Sequence, residues 1–366
     1  MNSLFSSIKL GRNAVVKNRL SVAPMTTSQS HEDGQVSASE SAWLERLASD
    51  GYGMIITCAA SISRTATAFP RQMSLADDSL LPGLTALATT LNKYSTLSVV
   101  QLCHGGSRAI PALTGVEPRS ASAYDLPGVP GFIRPRAFTV GQIHGVIDDF
   151  ASAAERAARA GFGGIEFHGA NGYLFTQFTS TMTNRRQDSY GGNLQNRARF
   201  SREVVRACRK RVPAEFVLGF RMSFEGFPPE TGLDIDENIQ IMNWLAEDGI
   251  DYGHVSHMAL SSPSAKYPEK IALRHIRAGV RKELPLVAAG GVFSRLDAEH
   301  ALEFGADIVA IGRAAIGNAL IPEHFKRSEK LRTTPFARES LGSIAVSKEL
   351  IDYIAQSPLA RMNIIG

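Results

Sequence analysis

The chain has 366 residues, 44% of them hydrophobic, with a formal net charge of +4 and a sequence pI near 9.0. That length suits one large α/β barrel with extensions, and the apolar content is ample for its core. The basic excess is mild and no dense Lys/Arg run is interleaved with aromatics, which argues against a nucleic-acid partner. No apolar run reaches the ~18 residues that span a bilayer, so no membrane association and a cytoplasmic location are expected.

In chain order, short apolar runs predict eight strands. They are Arg19–Ala23, Gly53–Cys58, Leu97–Cys103, Gly163–His168, Phe216–Met222, Asp251–Ser256, Pro285–Ala289 and Asp307–Gly312. Amphipathic stretches between them predict helices, among them Ser39–Asp50, Leu80–Tyr94, Gln142–Ala160, Gln195–Val212, Asp236–Asp248 and Arg295–Phe304. Thr139, Asp234 and Ser294 stand where helix N-caps belong, and Gly161, Gly249 and Gly305 stand just past helix ends. Strands alternating with helices imply parallel pairing, and eight such units close a (β/α)8 TIM barrel. The expectation is a single domain over 1–366, with the barrel at about 18–320 and extra C-terminal helices over about 321–366. One connection is long: 104–139, after the third strand, carries Pro111, Gly115, Pro118, Pro127, Gly128, Pro130, Gly131 and Pro135. The three cysteines, Cys58, Cys103 and Cys208, have no CxxC spacing, so neither a metal site nor a disulfide framework is expected.

Barrels of this kind do their chemistry at the C-terminal ends of the strands. The fourth strand ends in His168-Gly169-Ala170-Asn171-Gly172-Tyr173, where small residues separate two hydrogen-bonding side chains from a potential proton donor. Gly290-Gly291 and Gly312-Arg313, after the seventh and eighth strands, offer bare backbone N–H groups and one cation, a pattern suited to a phosphate. Gln101 and Arg221 point into the same mouth, which suggests a planar cofactor with an imide-like edge. A buried ion pair of Arg221 with Glu166 is compatible with that reading. Taken singly, His168 and Tyr173 read as structural residues, and the two glycine turns as tight turns; it is their combination that points to a site.

These residues, with Asn18-Arg19-Leu20, Ala23-Pro24-Met25-Thr26, Asn184-Arg185-Arg186-Gln187-Asp188-Ser189-Tyr190-Gly191-Gly192, Asn196-Arg197 and Ala310-Ile311-Gly312-Arg313, make a chain that resembles the Old Yellow Enzyme family of FMN-dependent ene-reductases. The resemblance implies non-covalent FMN, NADPH or NADH as reductant, and a small electron-poor alkene as substrate. It implies that Pro24, Met25, Thr26, Ala59 and Gln101 flank or hydrogen-bond the flavin ring and that Arg221 lies by its N1/O2 edge. Gly290, Gly291, Gly312 and Arg313 would hold the phosphate. His168 and Asn171 would bind the substrate carbonyl, and Tyr173 would give the proton. The loop Tyr190-Gly191-Gly192 reads as structural, and Asn196, Arg197 and Arg199 as packing it, with a basic surface there that could also meet a nicotinamide phosphate. Some relatives carry cysteine where Thr26 stands and tyrosine where Ser28 stands, a departure that leaves substrate scope open. Relatives with an iron–sulfur cluster and a second nucleotide domain do not fit the length and cysteine count. Two other classes stay open: a flavin-free phosphate-binding barrel lyase or isomerase, which needs a catalytic Lys or Glu at a strand end, where no Lys stands, and a non-catalytic flavin-binding protein. A homo-oligomer is also open, with Arg361 a residue that could reach a neighbouring copy.

Overall fold

A barrel strand has two buried faces, so its residues sort by which core they enter. Leu218 and Phe220 face the helices, while Val217, Gly219 and Arg221 face the barrel axis; the same alternation sets Ile165 and Phe167 outside against Glu166 and His168 inside. The computed structural model describes residues 3–126, 129, 131–226, 231–356 and 364–365. In it, β1 (Leu20–Val22), β2 (Met54–Ser61), β3 (Leu97–Cys103), β4 (Gly164–Gly169), β5 (Val217–Met222), β6 (Tyr252–Ser256), β7 (Leu286–Ala289) and β8 (Ile308–Ile311) close a parallel barrel in sequence order. All eight expected strands are present, with ends shifted by at most one residue where the ladder stops. The exception is β2, which runs three residues further, to Ser61.

The outer layer is α1 (Ala38–Ser49), α2 (Leu81–Asn92), α3 (Val140–Ala160), α4 (Leu194–Arg211), α5 (Ile235–Asp248), α6 (Ala272–Gly279), α7 (Arg295–Glu303) and α8 (Ile321–Lys326). The caps read from sequence hold. Thr139 and Gln142 form a capping box at α3, Asp234 accepts from the Asp236 and Glu237 N–H groups, and Ser294 accepts from Asp297 N–H. The tail adds α9 (Lys348–Gln356). Pro127, Gly128, Pro130 and Arg361 lie outside the described residues.

Three features were not legible in the sequence. An N-terminal hairpin, Ile8–Leu10 with Ala14–Val16, plugs the bottom of the barrel, its Leu10 and Val16 packing with Met54, Val217, Tyr252 and Ile308. A bulge in β2 separates the pairs Ile56↔Val99 and Ala59↔Gln101, so Cys58 turns out toward α1 while Ala59 turns in. The 104–139 connection contains a short helix, Pro111–Thr114, and pairs Arg119–Ser120 with Arg136–Ala137.

An aromatic cluster decides how the site is aimed. Phe167 (β4) and Phe220 (β5) pack outward on Phe175, Phe150 and Phe200, with ring centroids 4.9–6.4 Å apart. Each buried ring contributes roughly 1.5–3 kcal/mol. That fixes the neighbouring His168 and Arg221, one residue on, toward the axis. Gly219 lies opposite Tyr252: an ideal Cβ there would be 2.0 Å from the Tyr252 ring. Gly219→Ala is therefore expected to lower stability by about 1–3 kcal/mol through overpacking, read as a lower urea midpoint at an unchanged slope.

Candidate active site

Every strand end singled out above converges on one mouth. On β4, the turn after Gly169 holds two successive left-handed residues, Asn171 (φ 57°) and Gly172 (φ 78°). Asparagine tolerates that conformation better than most side chains. Ser223, one residue past β5, accepts from Asn171 N–H at 3.0 Å, and Arg108 donates to the Asn171 carbonyl at 2.6 Å. The turn leaves the Asn171 side chain exposed and brings Tyr173 back over His168, their rings 4.6 Å apart. The Arg108 guanidinium lies 5.0 Å from the Tyr173 ring centre.

His168 is 5% exposed, and its Nδ1 is buried with no hydrogen-bond partner. Burial, reinforced by the nearby Arg221 and Arg108 charges, pushes its imidazole well below the ordinary range, so it stays neutral. Burial pushes the Tyr173 phenol up, so it keeps its proton. Arg221 donates from Nη2 to Ser256 Oγ at 2.9 Å and from Nη1 to the Pro24 carbonyl at 3.4 Å, while its Nε is buried without a partner. The anticipated ion pair of Arg221 with Glu166 does not form. Glu166 is instead ringed by Gln101, Tyr252 and His254, and the guanidinium donates to Ser256 on β6.

On the far side of the mouth, Ala59 is buried beside Phe69, Cys103 and Tyr173. The Gln72 side chain ties down the Ala59 carbonyl at 2.8 Å. Met25 and Thr26 are half-buried, and Met25 lies near Gly312. At Gly290 a Cβ would fall 2.6 Å from the His257 carbonyl oxygen, so only glycine fits, and Gly291 takes φ 66°. The N–H groups of Gly290, Gly291, Gly312 and Arg313 donate to nothing among the described residues. Among the described residues the Arg313 guanidinium makes only a contact with the Phe293 ring, at 5.5 Å. Four free N–H groups with a cation beside them suit a phosphate, and the unpartnered His168 Nδ1 and Arg221 Nε suit polar atoms of a ring and its substrate. The residues present therefore fit FMN.

Sequence reasoning missed Arg108, Ser223, Ser256 and Tyr353. The two serines sit at strand ends and were findable by position. Tyr353, on α9, lies beside the Thr26 side chain and close enough to raise the Tyr173 phenol further; no local signal marks it. Asn196, Arg197 and Arg199 are structural, as read: Arg199 donates to the Ser189 carbonyl and to Asn196, and Arg197 to the Thr179 carbonyl and Glu237. Among the described residues no group of three His, Cys, Asp or Glu could hold a metal, and no helix is long and apolar enough to cross a membrane.

A closed (β/α)8 barrel whose polar residues gather at the C-terminal mouth defines an enzyme class, and the comparisons specify it. The sequence model of the NADH:flavin oxidoreductase / NADH oxidase family matches residues 3–332, and the chain belongs to that family. It is 34% identical over 321 residues to a probable NADH-dependent flavin oxidoreductase, YqiG, of Bacillus subtilis (strain 168), covering 85% of this chain and 84% of that one. The solved Old Yellow Enzyme homologue of Zymomonas mobilis superposes with a TM-score of 0.81 at 27% identity, over 91% of this chain and 94% of the other. Morphinone reductase in complex with tetrahydroNAD superposes with a TM-score of 0.78 at 29% identity, over 91% and 92%. The protein is an FMN-dependent oxidoreductase of the Old Yellow Enzyme family that uses NAD(P)H to reduce activated C=C bonds, and the flavin-free reading is set aside.

One buried group gives the site a pH signature. His104 Nδ1 accepts from Gly106 N–H at 2.9 Å, and burial pushes its imidazole down to about 4. The unfolded chain takes up that proton near pH 6.5. Stability from this group is therefore complete above pH 6.5 and is lost as pH falls toward 4, by up to about 3 kcal/mol. Urea unfolding at pH 7 and pH 4.5 should show a smaller acid loss in His104→Gln than in the unchanged protein; equal losses contradict the assignment.

Proposed function

We propose that the whole chain works as one FMN-binding barrel domain, about 18–320 with a helical tail over about 321–366, and that His168, Asn171 and Tyr173 handle an α,β-unsaturated carbonyl or nitro compound. The observation that carries this is the buried, unpartnered Nδ1 of a neutral His168 beside Tyr173.

When bound, FMN supplies the hydride, drawn from NADH or NADPH. The protein's part is polar. His168 and the Asn171 amide donate to the substrate oxygen and so stabilise the charge that builds there as the β-carbon is attacked. Tyr173 holds its proton because burial disfavours the phenolate, and gives it up only to the basic α-carbon. Arg108, stacked on the Tyr173 ring and bonded to the Asn171 carbonyl, fixes the spacing of donor clamp and acid. Pro24, Met25, Thr26, Ala59, Gln101 and Arg221 frame the ring of the cofactor, and Gly290, Gly291, Gly312 and Arg313 its phosphate. A cytoplasmic location, where the nicotinamide pool lies, belongs to the same proposal.

The purified protein should be yellow, and a simple phenol should give a long-wavelength charge-transfer band. A colourless protein that takes up no added FMN defeats the proposal. Tyr173→Phe should slow the alkene half-reaction while leaving flavin reduction by NAD(P)H intact in stopped-flow traces; equal loss of both would give Tyr173 another task. His168→Ala should lower the alkene half-reaction about 10²–10³-fold.

A further inference from the structure

A carboxylate lies inside the barrel directly below the mouth. Glu166 is 0% exposed and shares the inward face of β4 with His168, two residues on. Its Oε1 accepts from Gln101 Nε2 at 2.7 Å; its Oε2 accepts from the Tyr252 hydroxyl at 2.9 Å and from His254 Nδ1 at 2.8 Å. Strand register puts Glu166, Gln101 and Tyr252 at one level: Glu166 pairs with Gln101 on β3 and with Gly219 on β5, and Gly219 pairs with Tyr252 on β6; His254, which pairs with Arg221, stands one layer higher. The missing side chain at Gly219 is what lets the Tyr252 ring reach Glu166. Burial opposes the charge, but His254, Arg221 and Gln101 outweigh it and hold the carboxyl below its usual range. Three donors on two oxygens agree with an ionised group.

An ionised carboxylate only accepts, whereas an amide has a donor end and an acceptor end. The Gln101 amide must therefore turn its Nε2 down to Glu166. Its Oε1, which accepts no hydrogen bond among the described residues, is the end left for the mouth. The pyrimidine edge of a flavin carries an imide N–H between two carbonyls. An upturned Gln101 carbonyl matches the N–H; a reversed amide would match a carbonyl instead.

We infer that Glu166 is a positioning residue for the flavin: by accepting from Gln101 it fixes which end of that amide meets the cofactor, and it keeps one negative charge beneath the ring. The inference rests on the reading of Gln101 as a flavin contact. It concerns the cofactor's affinity and potential, and gives Glu166 no contact with substrate.

The test uses the FMN-loaded protein. Glu166→Gln keeps the shape, removes the charge and lets residue 166 donate as well as accept, so the Gln101 amide is free to reverse. Removing a negative charge favours the reduced cofactor. The oxidised-to-reduced ratio at a fixed reference potential should fall about tenfold, about 30 mV for a two-electron couple, with FMN bound about tenfold more weakly. The potential shifts of Glu166→Gln and Gln101→Leu should be strongly non-additive in the double variant, since one acts through the other. A variant that is merely less stable, with potential and FMN affinity unchanged, overturns the inference, as do additive shifts. Where Glu166→Gln does not fold, Glu166→Asp keeps the charge and withdraws it by one methylene. Several-fold weaker FMN binding is then expected, and unchanged binding is the contrary result. If the parent protein binds no FMN, the reading of the site fails; if the parent binds and the variants match it, only this inference fails.

Discussion

A closed barrel of eight strands has to fill its own interior, and here one layer is filled by a charge. Glu166, fully buried, is tolerated because Gln101, Tyr252 and His254 supply hydrogen bonds to both of its oxygens. Below that layer the interior is apolar and sealed by the N-terminal hairpin. Above it stand His168, Arg221 and the strand ends that form the mouth. The carboxylate level thus divides a packed floor from a chemically active roof. It also fixes the geometry of both, since Tyr252 reaches it only past a bare Gly219 and Gln101 only through its nitrogen.

The roof depends equally on what lies outside the barrel. Phe167 and Phe220 enter an aromatic cluster under α3 and α4, and strand alternation then leaves His168 and Arg221 no direction but inward. The β2 bulge does the opposite service for Ala59. One extra residue turns a small side chain toward the mouth and sends Cys58 out to Glu40, its hydrogen-bond partner on α1. Small residues near the cofactor site and large ones behind it follow from these two devices.

The long connections act as braces. Arg108 from the 104–139 connection holds both the Asn171 carbonyl and the Tyr173 ring. Arg186 donates to the carbonyls of Ala121 and Phe138, joining that connection to the turn after β4. At the other rim, Arg46 of α1 donates to the Ala315 and Asn318 carbonyls and so steadies the turn after β8, where Gly312 and Arg313 stand. Each brace is an arginine spending its donors on backbone carbonyls, a use for which its planar fork is suited.

How much of this was legible beforehand follows from locality. Strand positions, helix caps, the glycine turns after β7 and β8 and the His168–Asn171–Tyr173 cluster were readable because each is written in a few consecutive residues: an apolar run, a capping side chain, a pair of glycines. The (β/α)8 barrel followed from counting such units. Other features rest on contacts between residues far apart in the chain: 35 residues for Arg221 and Ser256, and 86 and 88 for Glu166 with Tyr252 and His254. That is why the sequence suggested an Arg221–Glu166 pair, while the folded chain gives Arg221 to Ser256 and Glu166 to three other donors. The β2 bulge, the plugging hairpin and the arrival of Tyr353 at Thr26 belong with these. By itself the sequence determined which chemical groups stand at the strand ends; only the tertiary structure decided which donor meets which acceptor, because that depends on register and packing around the closed sheet.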